Sequence, residues 1–251
     1  MTATADRTVS SRAPAPSSSK SAPKIDADVA VVTAQRTEIP VIGHPAIVIE
    51  LPVVSGLVDP AAQKKIDALL TPEALLDEPL SDVRTEAALV KSASDPSVGV
   101  QGSTFTVDYN RHGVLEINSI CMYEGAYPSA NRHHVLIDLR SGAPIGREAF
   151  RSSMIAPLLA HLDVPVHAEE KRAKPDLADA GFGTELLELD FPPEGLDSFS
   201  VSDAGVTFHL DYGFPHVVLA LQPKGDFFMS WTELAPYIEP TGPLARIAPA
   251  R

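Results

Sequence analysis

Alternating apolar and polar residues recur in short stretches along the chain and predict β-strands joined by tight connections. Residues 104–123 hold two such stretches around the loop 110–113, the pattern of a β-hairpin in which Gly113 takes the positive φ. Residues 199–213 repeat this pattern around a second short loop. Further strands are predicted at residues 46–54, 133–139 and 217–221, and just before Trp231.

Residues with helical spacing follow several of these strands. Asp59 and Pro60 form a good cap and first turn, and apolar residues then recur on one face of the next ten positions. A second helix is predicted to begin at Thr71, and a third runs through residues 150–162, where Pro157 should kink or restart it. Hairpins dominate the order of elements, which predicts an α+β fold: a mainly antiparallel sheet of about seven strands with helices packed on it.

Composition divides the chain into three parts. Residues 1–40 begin with a Ser-, Ala- and Pro-rich stretch without aromatic residues, so they are predicted to be a disordered arm. Residues 41–240 form a single predicted domain, and residues 241–251 a flexible tail. No run of about 18 apolar residues occurs, so the chain is not expected to span a membrane. The N-terminus shows no secretory signal, which leaves an envelope or secreted protein and a cytoplasmic one both open.

The body of the chain is strongly acidic. The formal net charge is −13, and because residues 1–24 carry +3, the remaining 227 residues carry −16. A negative surface repels phosphate backbones and attracts cations, so nucleic acid is disfavoured as a partner and a basic protein or polymer is favoured. Charge that serves only solubility would give the same composition.

The chain has a single cysteine, Cys121, so it cannot form an internal disulfide or a multi-cysteine zinc site. Cys121 alternates with Leu115, Ile117 and Tyr123 along a predicted strand, which indicates a buried thiol that packs as a small apolar side chain.

Histidine and acidic residues suggest two clusters for chemistry. His133, His134 and Asp138 are close in sequence, but strand alternation places His133 on the face opposite to the other two, so no metal site is predicted. His209 and Asp211 share a strand face, and a hydrogen bond between them would orient the imidazole as a base. The chain contains no nucleophile or phosphate-binding motif, so no residue is predicted to be catalytic and no cofactor is expected.

The loop from Glu124 to Asn131 is the predicted recognition surface. It combines a flexible backbone at Gly125, an amphipathic ring at Tyr127 and an amide at Asn131, which suits contact with a protein or a glycan. A tight connector in which Tyr127 covers the sheet edge is the alternative. The predicted binding residues come from this loop and from two strands: Gly125, Tyr127, Pro128, Asn131, His134 and Tyr212.

The order of these segments resembles the RsiV-like domain family, which occurs in lysozyme-sensing anti-sigma factors, beside a deacetylase domain in cell-wall enzymes, and in a secreted mycobacterial antigen. The resemblance covers residues 46–238 and is carried by the segments IELPVVSGLVDPAAQKKIDALL, FTVDYNRHGVLEINSICMY, EGAYPSAN, HHVLIDLRSGAPI, FSVSDAGVTFHLDYGFP and FFMSWTELAPYI. In the predicted recognition loop the family often shows Gly-Gly-Ala-His, where this chain has Gly-Ala-Tyr-Pro at 125–128.

The resemblance implies an RsiV-like fold and a domain that binds rather than catalyses. The expected function is non-enzymatic recognition, at the cell envelope, of a protein or a cell-wall glycan, and the acidic body of the chain favours a basic partner. Two alternatives stay open: an intracellular scaffold tethered by its N-terminal arm, and a hydrolase that uses His209 with Asp211, or His134 with Asp138. The hydrolase hypothesis predicts that these side chains meet in one pocket, whereas the two binding hypotheses do not.

Overall fold

Two β-sheets and six α-helices make up the described part of the protein. The structure, a computed structural model, describes residues 28–94, 99–123, 129–183, 187 and 189–249. The mixture of sheets and packed helices confirms the predicted α+β class. The number of strands differs from the prediction, because the described residues form eight strands in two sheets rather than about seven in one.

The larger sheet has five strands in sequential order. They are β1 (Val31–Ile39), β2 (Ile47–Ser55), β3 (Val100–Arg111), β4 (Val114–Tyr123) and β5 (Ser129–Asp138). Neighbours pair antiparallel, except that β2 and β3 pair parallel over only Val48 and Ile49. His112 and Gly113 form the β3–β4 turn with φ of 56° and 73°, the two positive values that a type I′ hairpin turn requires.

Three short helices cover one face of the larger sheet. They are α1 (Pro60–Leu69), α2 (Pro72–Leu76) and α3 (Leu80–Leu89). The predicted caps are confirmed, since Asp59 accepts a hydrogen bond from the Ala61 N–H and Thr71 accepts one from the Ala74 N–H. The helices and this face of the sheet share one hydrophobic cluster, which includes Ile66, Leu75, Val83, Leu115, Ile117, Cys121 and Ile137.

The smaller sheet packs with a long helix on the other side of the molecule. Its antiparallel strands are β6 (Phe199–Val201), β7 (Gly205–His209) and β8 (Asp226–Ser230), and the long helix is α4 (Ile155–Asp179). Two short helices follow, α5 (Trp231–Leu234) and α6 (Leu244–Ile247). These elements form a second cluster, which includes Phe150, Leu158, Leu162, Val166, Phe199, Phe208, Phe227, Trp231 and Leu244.

Strand β4 lies between these two clusters. Leu115 and Ile117 point toward the three helices, whereas Val114 belongs to the cluster of the smaller sheet. Glu116 points to the same side as Val114, because side chains alternate along a strand, and it is buried there. The larger sheet is therefore a central layer with helices on one face and, on part of its other face, the smaller sheet.

Both segments that were predicted to be flexible contain regular secondary structure. Residues 31–39 lie inside the predicted arm of 1–40, yet they form β1, an edge strand whose charged and polar residues stay exposed. The predicted tail of 241–251 contains α6, in which Leu244 and Ile247 are buried. Residues 1–27 lie outside the described part of the chain. A few apolar residues in each segment, among them Ile39 and Leu244, are buried and dock these elements on the fold.

Two element assignments in the second half of the chain were also wrong. The predicted strand at 217–221 lies in a 3₁₀ helix, His216–Leu221, because a short apolar run does not distinguish the two conformations. Pro157 does not break a helix, because it lies in the first turn of α4. Backbone N–H groups in the first turn have no acceptor within the helix, so the N–H that proline lacks costs no hydrogen bond there. Helix α4 continues to Asp179, well beyond residue 162, where the predicted helix ended.

Candidate functional site

A cleft of about 730 Å³ opens between the two sheets. It lies beside Glu116, where the smaller sheet leaves part of the larger one uncovered. Most of the residues that line it have polar side chains, and they come from β3, β4 and β5 on one side and from β6, β7, β8 and the β7–β8 connection on the other. The residues that line it are Asp108, Asn118, Ser119, Ile120, Arg132, His134, Ser198, Ser200, His209, Leu210, Asp211, Gln222, Gly225 and Asp226.

The alternation of strand side chains brings His134 and Asn118 to the cleft. The two residues are direct partners in the antiparallel ladder between β4 and β5, so their side chains share one face. Arg132 is two residues before His134 and lies on the same face. Asn118 donates a hydrogen bond to Asp108 of β3, which extends the polar wall across three strands.

His134 is held by the buried carboxylate of Glu116. The distance from His134 Nε2 to Glu116 Oε1 is 3.2 Å, and Glu116 Oε2 accepts a hydrogen bond of 2.9 Å from the Val201 N–H. A carboxylate can only accept, so Nε2 of His134 carries the proton in this contact and Nδ1 is the other ring nitrogen. Glu116 therefore fixes the orientation of the imidazole and also links β4 to β6.

Three side chains on the smaller sheet form a hydrogen-bonded chain. Ser200 Oγ lies 2.7 Å from His209 Nε2, and His209 Nδ1 lies 2.7 Å from Asp226 Oδ1. Each residue comes from a different strand, and each lies on the face opposite to the buried Phe199, Phe208 and Phe227. All three line the cleft, so a ligand there can reach this chain.

Side chains from the two sheets come close together across the cleft. The ring centroids of His134 and His209 are 6.1 Å apart. Three carboxylates, those of Asp108, Asp211 and Asp226, and one guanidinium, that of Arg132, lie along the walls. The cleft is therefore rich in hydrogen-bonding groups, and its net charge is negative, like that of the body of the chain.

The structure describes three of the six predicted binding residues, and these three do not lie in one site. Gly125, Tyr127 and Pro128 lie outside the described residues. Asn131 points to the helix-covered side of β5 and donates to Asp77 at 3.1 Å, whereas His134 points into the cleft. The binding role of each of these residues remains a prediction.

Tyr212, the sixth predicted binding residue, is buried in the second hydrophobic cluster. Its hydroxyl has no hydrogen-bond partner among the described residues. Burial, followed by the nearby carboxylates of Glu170 and Glu169, raises the pKa of Tyr212 to about 12. Tyr212 therefore has the surroundings of a core residue.

The predicted histidine and acid pairs have different partners in the structure. His209 bonds to Asp226 instead of Asp211, because Asp211 follows the end of β7 and accepts the N–H of Gly213. His134 bonds to Glu116, whereas Asp138 pairs with Arg246. As strand alternation predicts, His133 is on the other face, 3.4 Å from Asp77.

Sequence reasoning missed Ser200, Asp226 and Glu116 as members of the site. The only available signal was their position on alternating strand faces, which does not reveal which strands pair. The convergence that the hydrolase hypothesis predicted occurs in part: His134, His209 and Asp211 line one cleft, but Asp138, the proposed partner of His134, does not.

A second cleft of about 730 Å³ lies near the C-terminal helices. Its walls are mostly apolar or proline, and they include Trp231, Pro236 and Pro249. Its charged side chain, Arg151, donates to the carbonyl of Ile238 and so supports the backbone. This cleft holds few groups for polar recognition or chemistry, so the cleft between the sheets is the stronger candidate.

The described residues contain no group of three or more His, Cys, Asp or Glu side chains that could hold a metal ion. Within the same ranges, every helix is too short or too polar to cross a membrane.

Comparison with known proteins gives similarity at the level of the fold. No protein-family model and no curated protein matches the sequence. A solved structure of a DUF3298 family protein from Pseudomonas aeruginosa PAO1 matches with a TM-score of 0.55 and 15% identity, over 90% of this chain and 99% of that one. A DUF3298 family member from Bacteroides fragilis NCTC 9343 matches with a TM-score of 0.57 and 13% identity, over 89% and 99%.

DUF3298 is a domain of unknown function, and at these identities the similarity carries the fold alone. The chain therefore has an α+β fold similar to that of DUF3298 family proteins, which is consistent with the RsiV-like resemblance of its sequence.

Proposed function

We propose that this protein is a recognition domain that binds a glycan of the cell envelope in the cleft between its two sheets. The observation that supports the proposal most is the lining of this cleft. Carboxylate, amide and guanidinium groups converge there from both sheets, including those of Asp108, Asn118, Arg132, Asp211 and Gln222. Sugar hydroxyls both donate and accept hydrogen bonds, so they are matched by such a mixture of donors and acceptors.

The size of the cleft favours a compact ligand. Its volume of about 730 Å³ lies within the range of about 300–1,000 Å³ that is typical of small-molecule sites. A stable protein partner, in contrast, covers about 800 Å² of surface on each side, usually around a central apolar or aromatic patch. A few linked sugar units therefore suit the cleft better than the surface of a folded protein does.

The charge of the cleft favours a neutral or basic glycan over an anionic one. Three aspartates outnumber the single arginine along the walls, and the body of the chain carries −16. A phosphate-rich polymer would be repelled by this field, whereas amino sugars or a glycan with attached amino groups would be attracted. We propose the cell envelope as the place of action because the sequence resembles the RsiV-like family.

Co-sedimentation of the full chain with purified, insoluble cell-wall glycan tests this function. Asn118→Ala removes an amide from the cleft, and Asn131→Ala makes the same substitution on the opposite side of the sheet. We expect Asn118→Ala to weaken binding about 5- to 30-fold, because a lost hydrogen bond in a polar site costs about 1–2 kcal/mol. Asn131→Ala should bind like the wild type.

Two results would contradict the proposal. One is wild-type protein that stays in the supernatant over the whole range of glycan concentrations. The other is binding that Asn131→Ala abolishes and Asn118→Ala leaves unchanged, which would place recognition on the loop side of β5. Thermal unfolding of both variants serves as the control that each of them is folded.

A further inference from the structure

We infer that Ser200, His209 and Asp226 form a nucleophile, base and orienting acid that cleave an acyl ester in the cleft. The inference rests on the proposed function for the alcohol part of the substrate, which would be a hydroxyl of the bound glycan. The substrate class is therefore an O-acylated sugar, and the reaction is hydrolysis to a free hydroxyl and a carboxylic acid. Nothing in the sequence motifs points to this activity.

The geometry of the three side chains matches the roles that acyl transfer requires. The Asp226 carboxylate can only accept, so the 2.7 Å contact with His209 Nδ1 places the imidazole proton on that nitrogen. Nε2 of His209 is then an unprotonated acceptor, 2.7 Å from Ser200 Oγ. A serine hydroxyl that donates to an imidazole held in this tautomer is the arrangement by which serine hydrolases activate their nucleophile.

The register of the smaller sheet produces this arrangement. His209 and Asp226 are direct partners in the β7–β8 ladder, so their side chains are neighbours on one face. Ser200 faces the same way on β6, where its ladder partner is Thr207, two residues before His209. Phe199, Phe208 and Phe227 anchor the opposite face in the core, which keeps the three polar side chains pointing out.

The reaction balances with water as the only co-reactant. Ser200 Oγ attacks the acyl carbon while His209 Nε2 takes the hydroxyl proton, and a new Oγ–C bond forms. The bond between the acyl carbon and the sugar oxygen then breaks, and His209 returns its proton to that oxygen. Water, deprotonated by His209, attacks the acyl-serine; the Oγ–C bond breaks, a carboxylic acid leaves, and the proton returns to Ser200.

Arg132 is the candidate for stabilising charge in the transition state. It belongs to β5 and lines the same cleft as Ser200, and a guanidinium is a suitable partner for an oxyanion. Ser200 and His209 would contact the reacting atoms and are the catalytic residues of this inference. Asp226 acts through His209 and is a positioning residue.

Hydrolysis of p-nitrophenyl acetate by the full chain tests the inference without a glycan. We expect Ser200→Ala and His209→Gln each to lower kcat/KM at least about 100-fold, the lower end of what a general base contributes. Thr207→Ala is the matched control, because Thr207 is paired with Ser200 in the ladder but does not line the cleft. Thr207→Ala should keep the wild-type rate.

Covalent labelling identifies the nucleophile directly. A fluorophosphonate probe should modify the wild-type protein once, and mass spectrometry should find the adduct on Ser200. Unlabelled Ser200 in a folded protein, together with ester hydrolysis no faster than that in buffer alone, would overturn the inference. This result needs no variant to fold, because it is read on the wild-type chain.

Asp226 requires a readout that a purely structural role would not change. We expect Asp226→Asn to lower kcat about 10- to 100-fold with KM unchanged, because the amide no longer selects the reactive tautomer of His209. Asp226→Glu should restore part of kcat, since it again offers a carboxylate. A change in KM alone, or no rescue by glutamate, would contradict the positioning role.

The esterase inference and the proposed function fail in distinguishable ways. Glycan co-sedimentation without any Ser200-dependent hydrolysis would support the recognition function and contradict the esterase activity. Hydrolysis and labelling at Ser200 without glycan binding would support the catalytic role of Ser200 and contradict the proposal that the cleft binds a glycan.

Discussion

The buried carboxylate of Glu116 accepts a hydrogen bond of 2.9 Å from the backbone N–H of Val201, and this bond joins β4 of the larger sheet to β6, an edge strand of the smaller one. Only 1% of Glu116 is exposed. The same side chain holds His134 at the wall of the cleft. Glu116 therefore links the two sheets and fixes part of the wall of the cleft.

Replacement of Glu116 by alanine should lower the free energy of unfolding by about 2–3 kcal/mol, because the Val201 N–H would be left buried without an acceptor. Glu116→Gln keeps an acceptor oxygen and should cost about half as much. Urea unfolding measures both. Glu50→Ala is the control: Glu50 pairs with Arg36 at 3.5 Å on the surface, and its loss should cost under about 0.5 kcal/mol. Equal losses for Glu116→Ala and Glu50→Ala would contradict this account.

The C-terminal segment should contribute to stability through Arg246. Its guanidinium donates to the carbonyls of His112 and Gly113 and pairs with Asp138, so it connects α6 to the β3–β4 turn and to β5. We expect Arg246→Ala to lower the free energy of unfolding by about 1–3 kcal/mol. Arg84→Ala, on an exposed face of α3, should change it by less than about 0.5 kcal/mol. If both variants unfold at the wild-type urea concentration, the segment behaves as the flexible tail that composition predicted.

Tyr212→Phe should leave stability at neutral pH unchanged or raise it by up to about 1 kcal/mol. The buried hydroxyl has no hydrogen-bond partner among the described residues, so its removal relieves a desolvated polar group. Thermal unfolding of the variant beside the wild type measures the change. A loss of more than about 1 kcal/mol would mean that the hydroxyl makes a favourable contact, and Tyr212 would again be a candidate for ligand binding.

Stability should fall in alkaline solution, because buried side chains hold their protons more tightly in the folded state. Burial raises the pKa of Cys121, Tyr109, Tyr123 and Tyr212, the last from 10.0 to about 12. For each group the unfolded chain loses its proton first as the pH rises, so the stabilisation is complete below the unfolded pKa and is lost above it. For Tyr212 the loss spans pH 10.0 to about 12.

Urea unfolding between about pH 8 and pH 11 checks the sign of this dependence. The midpoint should move to lower urea as the pH rises, and Tyr212→Phe should flatten the dependence at its alkaline end. A midpoint that rises with pH would contradict the assignment of these groups as buried and protonated.

Cys121 should not react with N-ethylmaleimide while the protein is folded. The thiol is fully buried, and burial raises its pKa, so both access and the fraction of thiolate are low. Mass spectrometry after incubation at neutral pH should find an unmodified chain, and the same incubation in concentrated urea should add one label. Labelling of the folded protein at the rate of the unfolded control would show that β4 opens readily.

The sequence predicted those elements whose signals are local. The caps at Asp59 and Thr71 and the turn at Gly113 each depend on neighbouring residues, and the structure contains all three. Helix α4 was predicted only in its first part. Its buried stripe continues beyond Val166 through Glu170, Ala173 and Leu177, but the polar composition and Pro175 concealed the helical period.

The candidate site could be predicted only in part, because its contacts connect distant segments. Strand alternation correctly separated His133 from His134 and placed His209 on a polar strand face. The partner of His209 is Asp226, and that choice depends on the pairing of β7 with β8 across a long connection. Glu116 gave no signal either, since a lone glutamate in an apolar strand does not reveal the Val201 N–H that makes it stable.

Binding of the ligand between the two sheets is tested most directly by the amide chemical shifts of the isotope-labelled protein. Titration with soluble N-acetylglucosamine oligomers should shift the amides of Asn118, His134 and His209 together, with one affinity. Shifts confined to Asn131 and the adjoining loop, or to the apolar cleft around Trp231, would contradict the claim, and so would an unchanged spectrum at saturating oligomer.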